Sequence, residues 1–216
     1  MRELVRLLAS TIGSCTNVQK ISNTFNTVAG VEIGTKTIGR YLENLQDSFI
    51  ISEALQYDVK GRKYIGAGTK YYFEDVGIRN AVLDFRQIEY THIMENVIYN
   101  ELRKEGFSVD VGVVESFKRN EEGKSQRRNL EIDFVVNRHD ERLYIQSTYA
   151  LPDKEKIDQE QASLLNVKDG FRKVIIVGDR YYSNFNEEGI MMMSLFDFLL
   201  GKGSCRSFIH SLSEKL

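Results

Sequence analysis

Two neighbouring segments in the second half of the chain alternate apolar and polar residues with the period of a half-buried β-strand. The first segment covers residues 130–136, the second covers residues 143–148, and a short polar turn separates them. This pattern predicts a β-hairpin. Asp133 would point away from the face that its apolar neighbours bury, and Gln146 and Thr148 would share one face of the second strand.

Length and composition restrict the class of protein. A chain of 216 residues with 42% apolar and 28% charged residues is typical of one large or two small globular domains. A net charge of −2 does not by itself indicate a nucleic-acid-binding protein. No apolar run approaches the roughly 20 residues that cross a bilayer, so no membrane partner is expected. Cys15 and Cys205 form no metal-ligand pattern and no signal peptide is visible, so we expect a cytoplasmic location.

The first 78 residues predict three short helices followed by two β-strands. Apolar spacing indicates a first helix that ends near Gly13 and a second helix after it. A third helix is expected to begin at Thr35 or Lys36, and β-like runs follow at 49–59 and 70–73. This order is that of a winged-helix domain.

In a winged helix, the third helix can enter a major groove and the wing can contact phosphate. The predicted nucleic-acid-binding residues are therefore Lys36 and Arg40 on the third helix, with Lys60, Arg62 and Lys63 at the wing tip. An equally supported interpretation is that these charges are solvated and the domain packs against protein. Few net positive charges are available to neutralise phosphate, which normally supplies much of the affinity for DNA.

One segment looks like a phosphate-binding loop without meeting its requirements. Residues 30–37 contain two glycines and a Lys-Thr pair, but the Walker pattern needs Gly directly before Lys36, and Thr35 stands there. No buried strand precedes the segment. The sequence therefore predicts no ATP site in this chain.

A single carboxylate interrupts the apolar face of the next predicted helix. This helix covers residues 91–105 and ends at Gly106, and Glu95 shares its face with Ile98 and Leu102. A carboxylate in that position needs a charged partner or a metal ion to offset the loss of hydration. Alternatively, Glu95 lies at the helix edge and reaches solvent or a backbone donor.

The predicted elements after residue 90 follow the order α-β-β-β-α-β and then β-α. That order indicates an α/β sheet covered by helices, as in restriction-endonuclease-like folds. The fold class is therefore α/β (α+β), with a winged-helix-like domain at 1–78, a linker at 79–90, an endonuclease-like domain at 91–200 and a tail at 201–216. The least ordered segments are expected at 118–129 and in the tail.

The chain as a whole resembles the C-terminal region of bacterial and archaeal AAA-type ATPases, in which a winged-helix segment precedes an endonuclease-like domain. The matching phrases run in family order and lie at 8–13, 37–42, 57–61, 70–80, 94–99, 131–134 and 144–146. The resemblance implies an upstream ATPase domain, and this chain begins after the place where that domain would end. It also implies DNA, the ATPase domain or another protein as partners.

The resemblance extends to the PD-(D/E)xK nuclease pattern, from which this chain departs. Glu95 and Asp133 match the pattern, but Gln146-Ser147-Thr148 stands where many relatives have Glu-Val-Lys. Such nucleases hold Mg²⁺ with carboxylates and use the lysine to orient water or stabilise developing charge. The resemblance therefore implies a degenerate catalytic site at Glu95, Asp133, Gln146 and Thr148.

The two missing charges predict a module without catalytic activity. Glu95 and Asp133 would bind Mg²⁺ weakly, and losing a single electrostatic contributor typically costs roughly 10²–10³ in rate. The competing hypothesis is a Mg²⁺-dependent DNA nuclease with a migrated lysine. In that case Lys154 or Lys156 would fold back into the pocket, or Glu131 would serve as an alternative ligand.

Overall fold

The computed structural model describes residues 1–30, 32–86, 88–119, 125–139, 141–179 and 183–201. The chain forms two compact units. The first unit comprises Met1–Gln56 and Ile65–Asn100, and the second comprises Tyr57–Tyr64 together with the chain from Glu101 onward. No helix in the described residues is long and apolar enough to span a membrane.

The first unit is mainly helical. Its elements are α1 (Arg2–Ser10), α2 (Val18–Ala29), α3 (Thr35–Asp47), β1 (Ile51–Asp58), β2 (Lys63–Phe73), α4 (Val76–Val82) and α5 (Tyr90–Lys104), where the β1–β2 turn and the end of α5 belong to the second unit. An isolated antiparallel bridge joins Thr16 to Thr69. Three helices followed by two strands are thus present as the sequence predicted.

Local signals explain where these helices begin and end. The Asn17 side chain accepts a hydrogen bond from the backbone N–H of Lys20 and caps α2, which ends at Gly30 with a φ of 65°. On α3, Ile38, Leu42 and Leu45 follow helical spacing and are buried. They pack into a core with residues from α1, α2 and the strands, including Leu4, Leu8, Ile21, Phe25, Ile51, Tyr71 and Phe73.

The second unit contains a mixed sheet. Its further elements are β3 (Ser108–Arg119), β4 (Ser125–Arg138), β5 (Glu141–Thr148), α6 (Lys154–Leu165), β6 (Arg172–Val177), β7 (Asn184–Phe185), β8 (Met191–Ser194) and α7 (Leu195–Leu200). These strands lie in the order β3-β4-β5-β6-β8-β7. β3, β4 and β5 pair antiparallel, and β5, β6 and β8 pair parallel, with α6 on the crossover between β5 and β6.

The predicted hairpin is present as β4 and β5, with Phe134 opposite Ile145. The core of this unit contains Ile132, Val135, Tyr144 and Ile175, joined by Tyr57 at the end of β1 and Val59 of the β1–β2 turn. The methionines at 191–193 are buried strand residues. The α/β fold class is therefore confirmed, while the winged-helix and endonuclease-like assignments stay predictions.

The domain boundaries differ from those expected. Residues 79–90, predicted as a linker, contain the end of α4 and the start of α5, and the boundary between units falls within α5, after Asn100. Arg79 is buried, and its Nε donates to the Ala9 carbonyl at 2.9 Å. In the segment 118–129, strands reach Arg119 and resume at Ser125. The tail beyond Gly201, including Cys205, lies outside the described residues.

Candidate functional site

Asp133 on β4 is buried and engaged with the neighbouring strand. Its Oδ2 accepts hydrogen bonds from the backbone N–H of Ser147 at 2.7 Å and from the Ser147 hydroxyl at 2.8 Å. The paired residues of β4 and β5 end at Phe134 and Ile145, so this carboxylate connects the two strands directly beyond their ladder. It thereby receives two donors from one residue of β5.

Gln146 and Thr148 behave differently from each other. The Gln146 Oε1 lies 3.4 Å from both the backbone nitrogen of Asp133 and the Ser163 hydroxyl oxygen, each of which donates toward it. The buried Thr148 hydroxyl instead donates to the carbonyl of Ala150 at 3.2 Å. The structure therefore brings Asp133 and Gln146 together and adds Ser163 of α6.

The residues considered for rescue of activity have other surroundings. Lys156 forms an ion pair with Glu160 one turn further along α6, and Lys154 is exposed. Glu131 is exposed on β4 and lies opposite Val113. Lys156 therefore has a carboxylate partner within its own helix, and the side chain of Lys154 is in contact with solvent.

Glu95 has a charged partner in the first unit. It is 6% exposed, and its Oε1 accepts from the Lys70 ammonium at 2.9 Å and from the Tyr72 hydroxyl at 2.6 Å. Gly13, with a φ of 71°, lies so close that a Cβ there would be 3.1 Å from the Glu95 Oε2. The partner that burial of this carboxylate requires is thus a lysine. Asp133 belongs to the second unit and has its own partner.

No three His, Cys, Asp or Glu side chains in the described ranges are grouped closely enough to hold a metal ion. Hydrogen bonds within the protein already engage the carboxylates of both Glu95 and Asp133. The weak Mg²⁺ site at these two residues stays a prediction.

The predicted nucleic-acid-binding residues are all exposed but lie on different elements. Lys36 and Arg40 lie on α3 in the first unit, and Lys60, Arg62 and Lys63 lie at the β1–β2 turn, which belongs to the second unit. The turn is closed by Asp58, whose Oδ1 accepts from the Gly61 N–H at 2.8 Å.

The β1–β2 turn is anchored within the second unit. Val59 is buried, and its N–H donates to the Val113 carbonyl at 3.1 Å. The guanidinium carbon of Arg142 lies 4.9 Å from the Tyr57 ring centroid and 5.7 Å from that of Phe171. These contacts fix the position of the basic turn relative to β3 and β5.

Beside this turn lies a cavity of about 380 Å³. Its lining consists of Val59, Lys60, Arg62, Val114, Glu115, Phe117, Asn166, Val167, Lys168 and Asp169. Lys60 and Arg62 were predicted from the sequence as nucleic-acid-binding residues, whereas Phe117 and Lys168 were not. Phe117 is 63% exposed near the end of β3, a large apolar side chain among charged neighbours. That local contrast is the signal that could have indicated it.

Both carboxylates of the cavity are engaged by donors. Glu115 pairs with Arg127 across the β3–β4 ladder. Asp169 accepts from the Tyr144 hydroxyl at 2.6 Å, and burial together with this hydrogen bond raises the pKa of Tyr144. The lining thus carries the cationic side chains Lys60, Arg62 and Lys168 against the carboxylates Glu115 and Asp169, and Glu115 is already paired with Arg127.

Comparisons with known proteins identify relatives without a described function. Residues 1–89 match a family described as a domain of unknown function, DUF8612. An uncharacterised protein of Haemophilus influenzae is 32% identical over 200 residues, which cover 93% of this chain and 46% of that protein. The chain thus spans less than half the length of this relative.

The solved structure of protein VC1899 from Vibrio cholerae was aligned with this chain at 10% sequence identity. The alignment covers 98% of this chain and 55% of the VC1899 chain. The TM-score is 0.31. This value bears on neither fold nor function.

Proposed function

We propose that this chain is a non-catalytic nucleic-acid-binding module that carries a degenerate nuclease site. The observation on which this rests is the engagement of the Asp133 carboxylate by the N–H and hydroxyl of Ser147. A metal ion at Asp133 would have to displace these hydrogen bonds. Gln146 and Thr148 add no charge to attract the ion or to stabilise a transition state.

The surroundings of Glu95 support the same proposal. The Lys70 ammonium already neutralises this carboxylate, so binding a cation there would leave Lys70 buried without its counter-charge. The two acids of the resembled pattern thus serve the packing of their own units. By the same resemblance, we infer that the module acts with an AAA-type ATPase domain. A cytoplasmic location is a separate part of the proposal.

A cleavage assay tests the absence of catalysis. The purified protein is incubated with supercoiled plasmid or single-stranded DNA and with Mg²⁺ or Mn²⁺, beside the variant Asp133→Asn. We expect neither protein to cleave. Metal-dependent cleavage by the wild type that Asp133→Asn abolishes would establish the nuclease alternative. Lys154→Gln and Lys156→Gln would then identify the migrated lysine.

A binding assay tests the nucleic-acid partner. Anisotropy of labelled duplex and single-stranded DNA is followed across a salt series, and we expect affinity to fall steeply with salt. Replacing both Lys36 and Arg40 by Gln should lower the slope for duplex DNA by about 0.9 for each phosphate that the protein no longer neutralises. Lys104→Gln, on α5, controls for the loss of one positive charge elsewhere and is compared with Lys36→Gln and Arg40→Gln measured singly. The absence of salt-sensitive binding to either form would favour a protein partner instead.

A further inference from the structure

The cavity beside the β1–β2 turn combines an apolar interior with a cationic rim. Val59, Val114 and Val167 are buried, whereas Lys60 and Phe117 are exposed. A volume of about 380 Å³ lies within the range of roughly 300–1,000 Å³ in which small-molecule sites are found. The cavity therefore has room for one ring-bearing ligand rather than a bare ion.

The charge of the rim favours an anion. Arg62 and Lys168 are exposed. Lys173 adds a further cation next to the lining, since its Nζ donates to the carbonyl of the lining residue Val167 at 2.8 Å. The opposing carboxylates Glu115 and Asp169 have donors of their own. A phosphate group would meet cations that these carboxylates do not fully neutralise.

Arg62 occupies a backbone conformation that its side chain does not favour. Its φ is 51°, in the left-handed region that suits Gly or Asn. Such a conformation is unfavourable for an ordinary side chain. Strain of this kind often accompanies functional residues, and it agrees with a requirement for a guanidinium at this place in the rim.

We propose that this cavity binds one unpaired nucleotide, with its phosphate against Arg62 and Lys168 and its base stacked on Phe117. The proposal rests on the nucleic-acid-binding function proposed above and assigns it a single-strand site. Stacking on an aromatic side chain tolerates any base, so the site would select unpaired nucleotides rather than a sequence. The same chemistry is shared by a free mononucleotide and by a nucleotide within a strand.

Variants of Phe117 test the stacking. Affinity for a labelled single-stranded oligonucleotide is measured for Phe117→Leu and for Phe117→Tyr. Loss of the ring in Phe117→Leu should weaken binding roughly 5- to 100-fold, because base–aromatic stacking carries free energy of that order. Phe117→Tyr keeps a ring and should bind like the wild type. Equal affinity of the wild type and Phe117→Leu would overturn the proposal.

Variants of the rim test the phosphate contact. Arg62→Gln and Lys168→Gln should each lower the salt slope for single-stranded DNA by about 0.7, whereas the control Lys104→Gln leaves it unchanged. Arg62→Gly should raise the melting temperature by relieving the strained φ and still weaken binding. Unchanged affinity in Arg62→Gly and in both Gln variants would contradict the proposed site.

Competition distinguishes the two sources of the nucleotide, with dTMP, inorganic phosphate and an unlabelled single strand as competitors. Displacement of the labelled strand by the unlabelled strand at far lower concentration than dTMP assigns the site to nucleic acid. Equal potency of dTMP assigns it to the free nucleotide. Strand binding that no cavity variant alters overturns the cavity site but leaves the module function standing. If the protein binds duplex DNA but neither a single strand nor dTMP, the cavity site fails alone. If it binds no form of DNA and no dTMP, both proposals fail.

Discussion

At the scale of single residues, buried charge in this protein is matched by partners distant in sequence. Lys70 and Glu95 are 3% and 6% exposed, and Tyr72 completes their hydrogen bonding. Such a pair contributes little net stability over apolar residues of the same shape, yet removing one member leaves the other charge buried alone. The role of Glu95 is therefore measurable through stability rather than through activity.

We expect Glu95→Leu to lower the free energy of unfolding by about 3–5 kcal/mol, because the Lys70 ammonium loses its counter-charge. Adding Lys70→Met to this variant should restore much of the loss. Urea unfolding followed by circular dichroism measures both. Asp84→Asn, which breaks the exposed pair with Arg6, should cost less than about 1 kcal/mol and serves as the control. Full stability of Glu95→Leu would show that this carboxylate has no structural role.

Phe49 offers a second prediction at this scale. It follows α3 with a φ of 54° and is 79% exposed, while its N–H and that of Ile50 donate to carbonyls of the last turn. Glycine is the preferred residue at such a helix end. Phe49→Gly should therefore raise the melting temperature, with a gain in stability of roughly 0.5–1 kcal/mol. Phe49→Ala keeps the Cβ and should give no comparable gain in the same melting experiment.

At the scale of elements, the β3–β4 ladder changes register beside the cavity-forming part of the sheet. The shift falls between Asp110 and Gly112, where β3 has an irregularity against β4. A Cβ at Gly112 would lie 2.8 Å from the Val135 Cγ2 and 2.9 Å from the Ile132 Cβ. Close contact between strands thus requires glycine, and the bulge determines how β3 continues toward Phe117.

We expect Gly112→Ala to destabilise the protein by roughly 1–3 kcal/mol, because the added methyl group overpacks a closed core. Gly39→Ala on α3 is the matched control. Apart from the backbone of its own helix and its chain neighbours, no atom of a described residue lies within 4 Å of the place where the new Cβ would stand. That variant should instead gain roughly 0.5–1 kcal/mol from helix propensity. Chemical denaturation of both variants checks the opposite signs, and a stable Gly112→Ala would contradict the close packing.

At the scale of the whole molecule, buried tyrosines in both units link stability to pH. Burial, with a smaller contribution from Glu53, raises the pKa of Tyr71 in the first unit to about 12. In the second unit, burial and Asp110 raise the pKa of Tyr64, and burial and Asp169 raise that of Tyr144. All three pKa values depart upward from an ordinary value of 10.0.

A raised tyrosine pKa makes stability fall in alkali. The unfolded chain releases its phenol protons near pH 10, while the folded chain holds them until its own pKa is passed. The contribution of these tyrosines to stability is therefore fully present below about pH 10 and declines as pH rises toward about 12. The decline is up to about 1.4 kcal/mol per pH unit for each of the buried Tyr71 and Tyr144, whereas Tyr64, which is 58% exposed, adds little. Urea midpoints across this interval measure the decline. Tyr71→Phe should reduce the slope, and an identical slope would refute the contribution of Tyr71.

The sequence by itself determined the elements and much of their order. Periodic apolar residues predicted α1 to α3, the hairpin of β4 and β5, and the helix that carries Glu95, because burial of one face leaves a local pattern in the chain. The resemblance to a nuclease pattern further predicted a site without its usual catalytic charges, and this stays a prediction.

Only the tertiary structure decided which partners these residues meet. A carboxylate on an apolar helix face indicates that a partner is needed. Which residue becomes that partner, here Lys70, depends on packing between elements that are distant in sequence. The pairing of Asp133 with Ser147, the burial of Arg79 and the boundary within α5 likewise depend on long-range contacts. The cavity that joins Arg62, Phe117 and Lys168 exists only where separate elements converge, so no local pattern could reveal it.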